Sequence, residues 1–201
     1  MRISKLLVPL AFLMLFSNGV AAAAAGFDES TEAEYKEALA KAIPMAEQGD
    51  AEAQFALGFL YSEGLGVLEN DRTGAKWLTL AAKQGNALAQ YLLALKFDKG
   101  EGVLENSRTS RLYAEAAAIQ GQGDAQRFLG ILYALDKDYI RGYMWFILAI
   151  YNNAEDDVTV AKDTTEGLME RGAIDKAQQM ASRCLESEYT DCGILPVLEY
   201  D

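Results

Sequence analysis

The chain has 201 residues, 51% hydrophobic and 24% charged, which excludes disorder throughout and leaves room for one globular domain or two small ones. Its 30 acidic against 18 basic side chains give a net charge of −12, which argues against nucleic acid or anionic lipid as partners, because cationic patches supply most of that attraction. There is no histidine, so the commonest general base, the Ser-His and Cys-His nucleophile pairs and most zinc sites are missing, and carboxylates and two cysteines remain for site chemistry. Abundant alanine, 3 prolines and 17 glycines point to an all-α fold of helices separated by glycine turns.

Residues 1–25 have the three parts of a secretory signal peptide. Arg2 and Lys5 precede an apolar run from Leu6 to Phe16, followed by Ser17-Asn18-Gly19-Val20 and five alanines, Ala21 to Ala25. The run is about half the roughly 20 residues that span a bilayer. Overlapping Ala-x-Ala frames allow cleavage anywhere from Ala22 to Ala25, and no cysteine follows to take a lipid. The cleaved chain is therefore expected to be exported and soluble, periplasmic or secreted, with no membrane insertion. Losing two bases and no acids takes its net charge to −14, so an electrostatic partner would be basic.

From residue 49 the sequence repeats with a shift of 36. Gly49, Gln54, Gly64, Gly66, Val67, Leu68, Glu69, Asn70, Arg72, Thr73, Ala81, Ala82 and Gly85 recur as Gly85, Gln90, Gly100, Gly102, Val103, Leu104, Glu105, Asn106, Arg108, Thr109, Ala117, Ala118 and Gly121. A further 36 brings Gly121, Ala125, Gln126, Leu129, Gly130 and Tyr133 into the same places. The third copy then loses four residues, since Trp145 stands 68 positions after Trp77, and its inter-helix loop lacks the glycines.

Each unit reads as two antiparallel helices. In the first, a helix from about Ala51 to Ser62 carries Ala53, Leu57, Leu60 and Tyr61 on one face. Gly64 is placed to end it in the left-handed conformation. Asn70 caps a second helix that runs to about Lys83, with Trp77, Leu78, Ala81 and Ala82 inward. Gly58 and Gly130 fall in mid-helix, where glycine costs up to about 1 kcal/mol against alanine. A close helix approach would compensate; the second unit has Ala94 there. One helix pair cannot bury its own apolar face, so the pairs should stack into a right-handed α-solenoid.

These residues resemble the Sel-1-like repeats, relatives of the tetratricopeptide repeats with a longer unit. The resemblance lies in Gly49-Asp50-Ala51-Glu52-Ala53-Gln54-Phe55-Ala56-Leu57-Gly58, in Tyr61, Gly64-Leu65-Gly66-Val67 and Trp77, and in Ala81-Ala82-Lys83-Gln84-Gly85. Tyr139 to Ala149 is similar to the last repeat of small bacterial members. Ala46-Glu47-Gln48-Gly49 matches Ala82-Lys83-Gln84-Gly85, so residues 26–48 are expected to form an N-terminal helix that acts as a half-repeat before three repeats over 49–151. Gly74 and Ser110 depart from the family's usual alanine. The resemblance implies a non-enzymatic scaffold that holds a partner protein on a concave surface lined by the first helix of each pair.

The variable positions of those first helices are Ala56 and Phe59, Leu92 and Leu95, Phe128 and Ile131, all apolar. They suggest a groove for a helix or extended segment of a partner protein, basic or apolar in character; packing between repeats is the other explanation. Tyr143, Trp145, Phe146 and Tyr151 could stack on a sugar, though packing of the last repeat accounts for them more cheaply. Asp136 and Asp138 begin like a calcium loop, but Ile140 occupies the fifth place, so no metal is expected there, and no cofactor anywhere. Glu155-Asp156-Asp157 would cap the next helix. An envelope glycan-binding protein or a hydrolase using carboxylates alone is the alternative function, but nothing selects a carboxylate pair.

Residues 152–201 are expected to cap the stack with two helices, about Asp156 to Glu170 and Ile174 to Ser187, broken at Gly172. Val160, Leu168, Met169, Ile174, Ala177, Met180 and Ala181 would cover the last repeat. In an exported chain the eight-residue separation of Cys184 and Cys192 points to a disulfide that pins the tail, and the lack of a CxxC spacing disfavours redox catalysis.

Overall fold

The computed structural model describes residues 29–152, 154 and 157–193. The expected signal peptide lies outside these residues, as do Glu155 and Asp156. All regular structure among the described residues is helical, in two compact units divided after Gln84.

The first unit holds α1 (Glu29–Glu47), α2 (Ala51–Glu63) and α3 (Asp71–Lys83). The Asp50 side chain accepts from Ala53 N at 2.7 Å and starts α2. Gly64, at φ 65°, ends α2 in the expected left-handed conformation and donates its N–H to Leu60 O. Asn70 then accepts from Thr73 N at 2.9 Å and starts α3. Leu39, Ala42 and Ala46 of α1 form one core with Ala53, Ala56, Leu57 and Leu60 of α2. Fully buried Leu57 and Leu78 each contribute about 2 kcal/mol of burial. Trp77, expected inward, is only partly buried at the edge of that core. Gly58 permits the close approach its position suggested: a Cβ there would lie 2.6 Å from Leu78 Cγ and 2.9 Å from Leu78 N.

The second unit holds α4 (Ala87–Lys99), α5 (Ser107–Ala118), α6 (Gly123–Leu135), α7 (Tyr139–Tyr151), α8 (Asp157–Glu166) and α9 (Arg171–Glu186). The caps repeat with the period: Asn86, Asn106, Gln122 and Asp138 accept from Ala89, Thr109, Ala125 and Arg141 N at 2.8, 3.0, 2.6 and 3.2 Å. Asp138 is thus the third repeat's Asn70, displaced by the four-residue deletion. In that shortened loop Lys137 takes the left-handed turn at φ 63°. The core holds Leu129 of α6 with Tyr143, Met144, Trp145, Phe146 and Leu148 of α7, so three of the four aromatics considered for a sugar platform are buried and only Tyr151 is exposed.

The C-terminal helices differ from expectation. Helix α8 stops at Glu166, where Gly167 N and Leu168 N turn back onto Asp163 O and Thr165 O at 3.1 and 3.0 Å. Gly172 does not break a helix; it lies in the first turn of α9, where backbone N–H groups have no intrahelical partner in any case. Val160 and Leu168, expected to cover the last repeat, are 69% and 61% exposed. The inward face of α8 is instead Val158, Ala161 and Thr165 at i, i+3 and i+7, with Val158 joining Phe146 and Ala149 in one cluster. Helix α9 buries Ala177, Ala181 and Cys184. The expected disulfide joins Cys184 to Cys192.

Candidate functional site

An amide ladder, with one buried glutamine in each rung, sets the pose of the first helices. Gln54 of α2 donates to Ala46 O at 3.1 Å and accepts from Gln84 Nε2 at 2.8 Å. In the second unit Gln120 donates to Gln90 Oε1 at 2.7 Å, and Asn152 to Gln126 Oε1 at 2.9 Å, while Gln126 donates to Ala118 O at 2.9 Å. Gln54, Gln90 and Gln126 were visible as repeat positions, but nothing in the sequence assigned them this role.

Helices α2, α4 and α6 start 36 residues apart, at Ala51, Ala87 and Gly123, so equivalent positions keep their angle around each helix. The outward strip of α2 is Glu52, Ala56, Phe59 and Glu63; of α4, Leu88, Leu92, Leu95 and Lys99; of α6, Asp124, Phe128, Ile131 and Leu135. Each strip spans about 60° of its helix. Ala56 does not reach solvent, because it packs into the first unit's core beneath α1. Phe59, Leu92, Leu95 and Phe128 are half-buried. Ile131 is 36% and Leu135 74% exposed. Half-buried Leu88 and exposed Leu135 extend the strips beyond the six residues named from sequence, and the same 36-residue register would have found them.

Beside this face lies a saturated polar cluster. Tyr133 of α6 donates to Glu115 Oε1 of α5 at 3.2 Å. The guanidinium groups of Arg111 and Arg141 lie 4.8 and 5.8 Å from the Tyr133 ring centroid. Arg111 pairs with Asp136, and Arg141 with Asp138 at 2.7 Å, which accounts for both acids of the supposed calcium loop. Glu115 is 8% exposed, and burial pushes its carboxyl above the ordinary range against the pull of Tyr133, Arg111 and Arg141. A second cluster ties α8 to α7: Tyr143 donates to Glu166 Oε2 at 2.7 Å, and Lys162 reaches the same oxygen at 3.1 Å. The Tyr143 and Lys162 hydrogen bonds hold the Glu166 carboxyl below its usual value. The charges named in both clusters are met by groups of the chain itself, so the clusters join helices. Among the described residues no group of three His, Cys, Asp or Glu could hold a metal ion, and no helix is long and apolar enough to cross a membrane.

The Ser110 hydroxyl on α5 is fully buried without a hydrogen bond. Ser110→Ala should raise stability by about 1 kcal/mol, a gain of about 2–4 °C in thermal midpoint, because it removes an unsatisfied hydroxyl and improves helix propensity. The equivalent Gly74→Ala should have the opposite sign, since its Cβ would meet Ser62 Oγ and lie 2.8 Å from Gly58 O. Thermal unfolding of the two variants checks both signs.

Comparison with known proteins agrees with this geometry. The Sel1 repeat family matches at residues 51–86, 87–122 and 123–153. A crystal structure of a Sel1 repeat protein from Oxalobacter formigenes is 29% identical with a TM-score of 0.56, covering 63% of this chain and 97% of that one. The crystal structure of c5321, a protective antigen present in uropathogenic Escherichia coli strains and displaying an SLR fold, is 22% identical with a TM-score of 0.50. It covers 81% of this chain and 44% of that one, and at this identity it bears on the fold alone. No curated protein matches the sequence. The fold is an all-α repeat solenoid, a class whose Sel1 repeats serve in general as non-enzymatic protein-interaction modules. Three consecutive matched units, each built as a capped helix pair, establish that the chain belongs to the Sel1 repeat family.

Proposed function

We propose that this protein is an exported, non-enzymatic scaffold of the bacterial cell envelope that holds a partner protein against the outward strips of α4 and α6. The observation that carries the reading is the division of α6: Ala125, Gln126, Leu129 and Gly130 are buried, while Phe128, Ile131 and Leu135 form an apolar strip toward solvent. Leu88, Leu92 and Leu95 give α4 the same character. Such strips suit the apolar side chains of a helix or extended segment, anchored at helical spacing. The net charge of −14 without residues 1–25 favours basic flanks on that segment. The export pattern in residues 1–25 and the Cys184–Cys192 disulfide support a compartment outside the cytoplasm, the periplasm first. The proposed organisation is a signal peptide over 1–25, a half-repeat helix over 26–48, three repeats over 49–151 and a capping region over 152–201.

The test compares the chain from residue 26 with its Ile131→Asp/Leu135→Asp variant. Both side chains are exposed, so the thermal midpoint should stay within about 2 °C. Captured from native envelope extract, one protein should be retained by the wild type and weakened at least about tenfold by the variant, since each buried side chain is worth about 1.5–3 kcal/mol. A partner held equally by both would overturn the α6 reading, and recovery of nothing above background would overturn the scaffold.

A further inference from the structure

We propose that the Cys184–Cys192 disulfide is an oxidation-dependent latch that closes the end of the third repeat by holding Tyr189 against Asn152. Beyond α9 the chain enters the loop enclosed by the disulfide, where Glu188 and Tyr189 adopt φ 50° and 67°. Two successive non-glycine residues in the left-handed region persist only where their surroundings enforce it. Here Tyr189 N donates to Cys184 O at 2.8 Å, Asp191 N donates to Ser187 Oγ at 2.9 Å, and both cysteines are buried.

The turn aims one side chain. The Tyr189 phenol oxygen accepts from Asn152 Nδ2 at 2.6 Å, and its ring edge passes over Gly121, where a Cβ would lie 3.7 Å from Tyr189 Cε2. Asn152 is the last donor of the amide ladder, so the connection runs from the disulfide loop through Asn152 and Gln126 to Ala118 O at the end of α5. Glutamine holds the Asn152 place in the first two repeats as Gln84 and Gln120. The third has a shorter amide, which reaches Leu148 O at 3.0 Å as Gln120 reaches Ala116 O, and Tyr189 adds a third acceptor beside it.

Closing the latch takes two electrons and two protons from the Cys184 and Cys192 thiols. Thiol–disulfide exchange with a disulfide donor supplies the oxidant, and with glutathione disulfide the products are the protein disulfide and two glutathione thiols. Reduction by a dithiol reverses the step, frees the left-handed turn and withdraws Tyr189 from Asn152. The proposal stands apart from what α6 binds.

The test is a thermodynamic cycle on the full chain, either oxidised with glutathione disulfide or fully reduced with dithiothreitol as verified by thiol titration, each with and without Tyr189→Phe. The expected result is a fall in thermal midpoint of about 2–4 °C for Tyr189→Phe in the oxidised protein and of less than about 1 °C in the reduced one. Reduction of the wild type should also speed amide exchange at Tyr151 and Asn152 at least about tenfold, which reports local opening at the repeat end. An equal fall in both redox states would show that Tyr189 is held without the disulfide and overturn the proposal. No fall in the oxidised protein, or unchanged exchange on reduction, would overturn it too.

Discussion

Gly130→Ala should lower stability by about 2 kcal/mol although alanine is the better helix former, and in a chain that already carries Phe146→Ala the same substitution should cost little or nothing. An alanine Cβ at position 130 would lie 2.5 Å from Phe146 Cε1 and 2.6 Å from Cδ1, against a ring that is 1% exposed and has nowhere to move. Overpacking of this kind costs about 1–3 kcal/mol, more than the roughly 1 kcal/mol gained by removing a mid-helix glycine. The repeat supplies the reason to expect compensation. The same crossing is Gly58 against Leu78 in the first repeat, Ala94 against Ala114 in the second and Gly130 against Phe146 in the third. Where the first helix gives up its Cβ, the second carries a large side chain; where it keeps one, the second carries alanine. Phe146→Ala alone should cost about 3–5 kcal/mol through the cavity it leaves. With Gly130→Ala added, the pair becomes the one native to the second repeat. The measurement is a double-mutant cycle by chemical denaturation, with an expected coupling of about 1–3 kcal/mol. Additive losses would mean that the crossing is not a shared packing constraint.

That pairing also marks what could be read from the sequence. The repeat period, the cap at Asn70, the turn at Gly64 and a close approach at Gly58 and Gly130 were all legible, because each unit repeats the same residues at the same offsets and three copies separate signal from accident. The residue across the crossing was not, since helical spacing says which face a residue shares and nothing about its opposite number. The single-copy parts were harder. In α8, Val158 and Val160 are equally apolar, and only the position of α7 decides that Val158 is buried and Val160 exposed. Ala56 looked like a groove residue by register, yet it packs with Leu39, Ala42 and Ala46 of α1, and the short match of Ala46-Glu47-Gln48-Gly49 to Ala82-Lys83-Gln84-Gly85 did not show that contact. The disulfide was legible from spacing and context. The left-handed turn it encloses and the use of Tyr189 were not, because neither Glu188 nor Tyr189 is a residue type that announces φ > 0.

Gln126→Met should cost about 1–3 kcal/mol, a fall of roughly 2–10 °C in thermal midpoint, even though the replacement is nearly the same size and more apolar. Gln126 is fully buried, and both ends of its amide are used: Nε2 donates to Ala118 O at 2.9 Å, and Oε1 accepts from Asn152 Nδ2 at 2.9 Å. A thioether can do neither, so both bonds are lost, although Ala118 O keeps Gly121 N at 3.0 Å and Asn152 Nδ2 keeps Leu148 O and the Tyr189 phenol oxygen at 3.0 and 2.6 Å. Each lost bond contributes roughly 1 kcal/mol, and the apolar thioether replaces neither. The consequence reaches past stability, because Gln126 shares α6 with Phe128, Ile131 and Leu135. Loosening its tie to α5 should blur the pose of that strip, and hydrogen exchange should show α6 opening before α4, which keeps its Gln90–Gln120 bond. Uniform protection loss across the second unit would instead mean that the ladder supports its helices as one cooperative block. Partner binding that survived the α6 opening unchanged would separate the strip from the recognition it is proposed to carry.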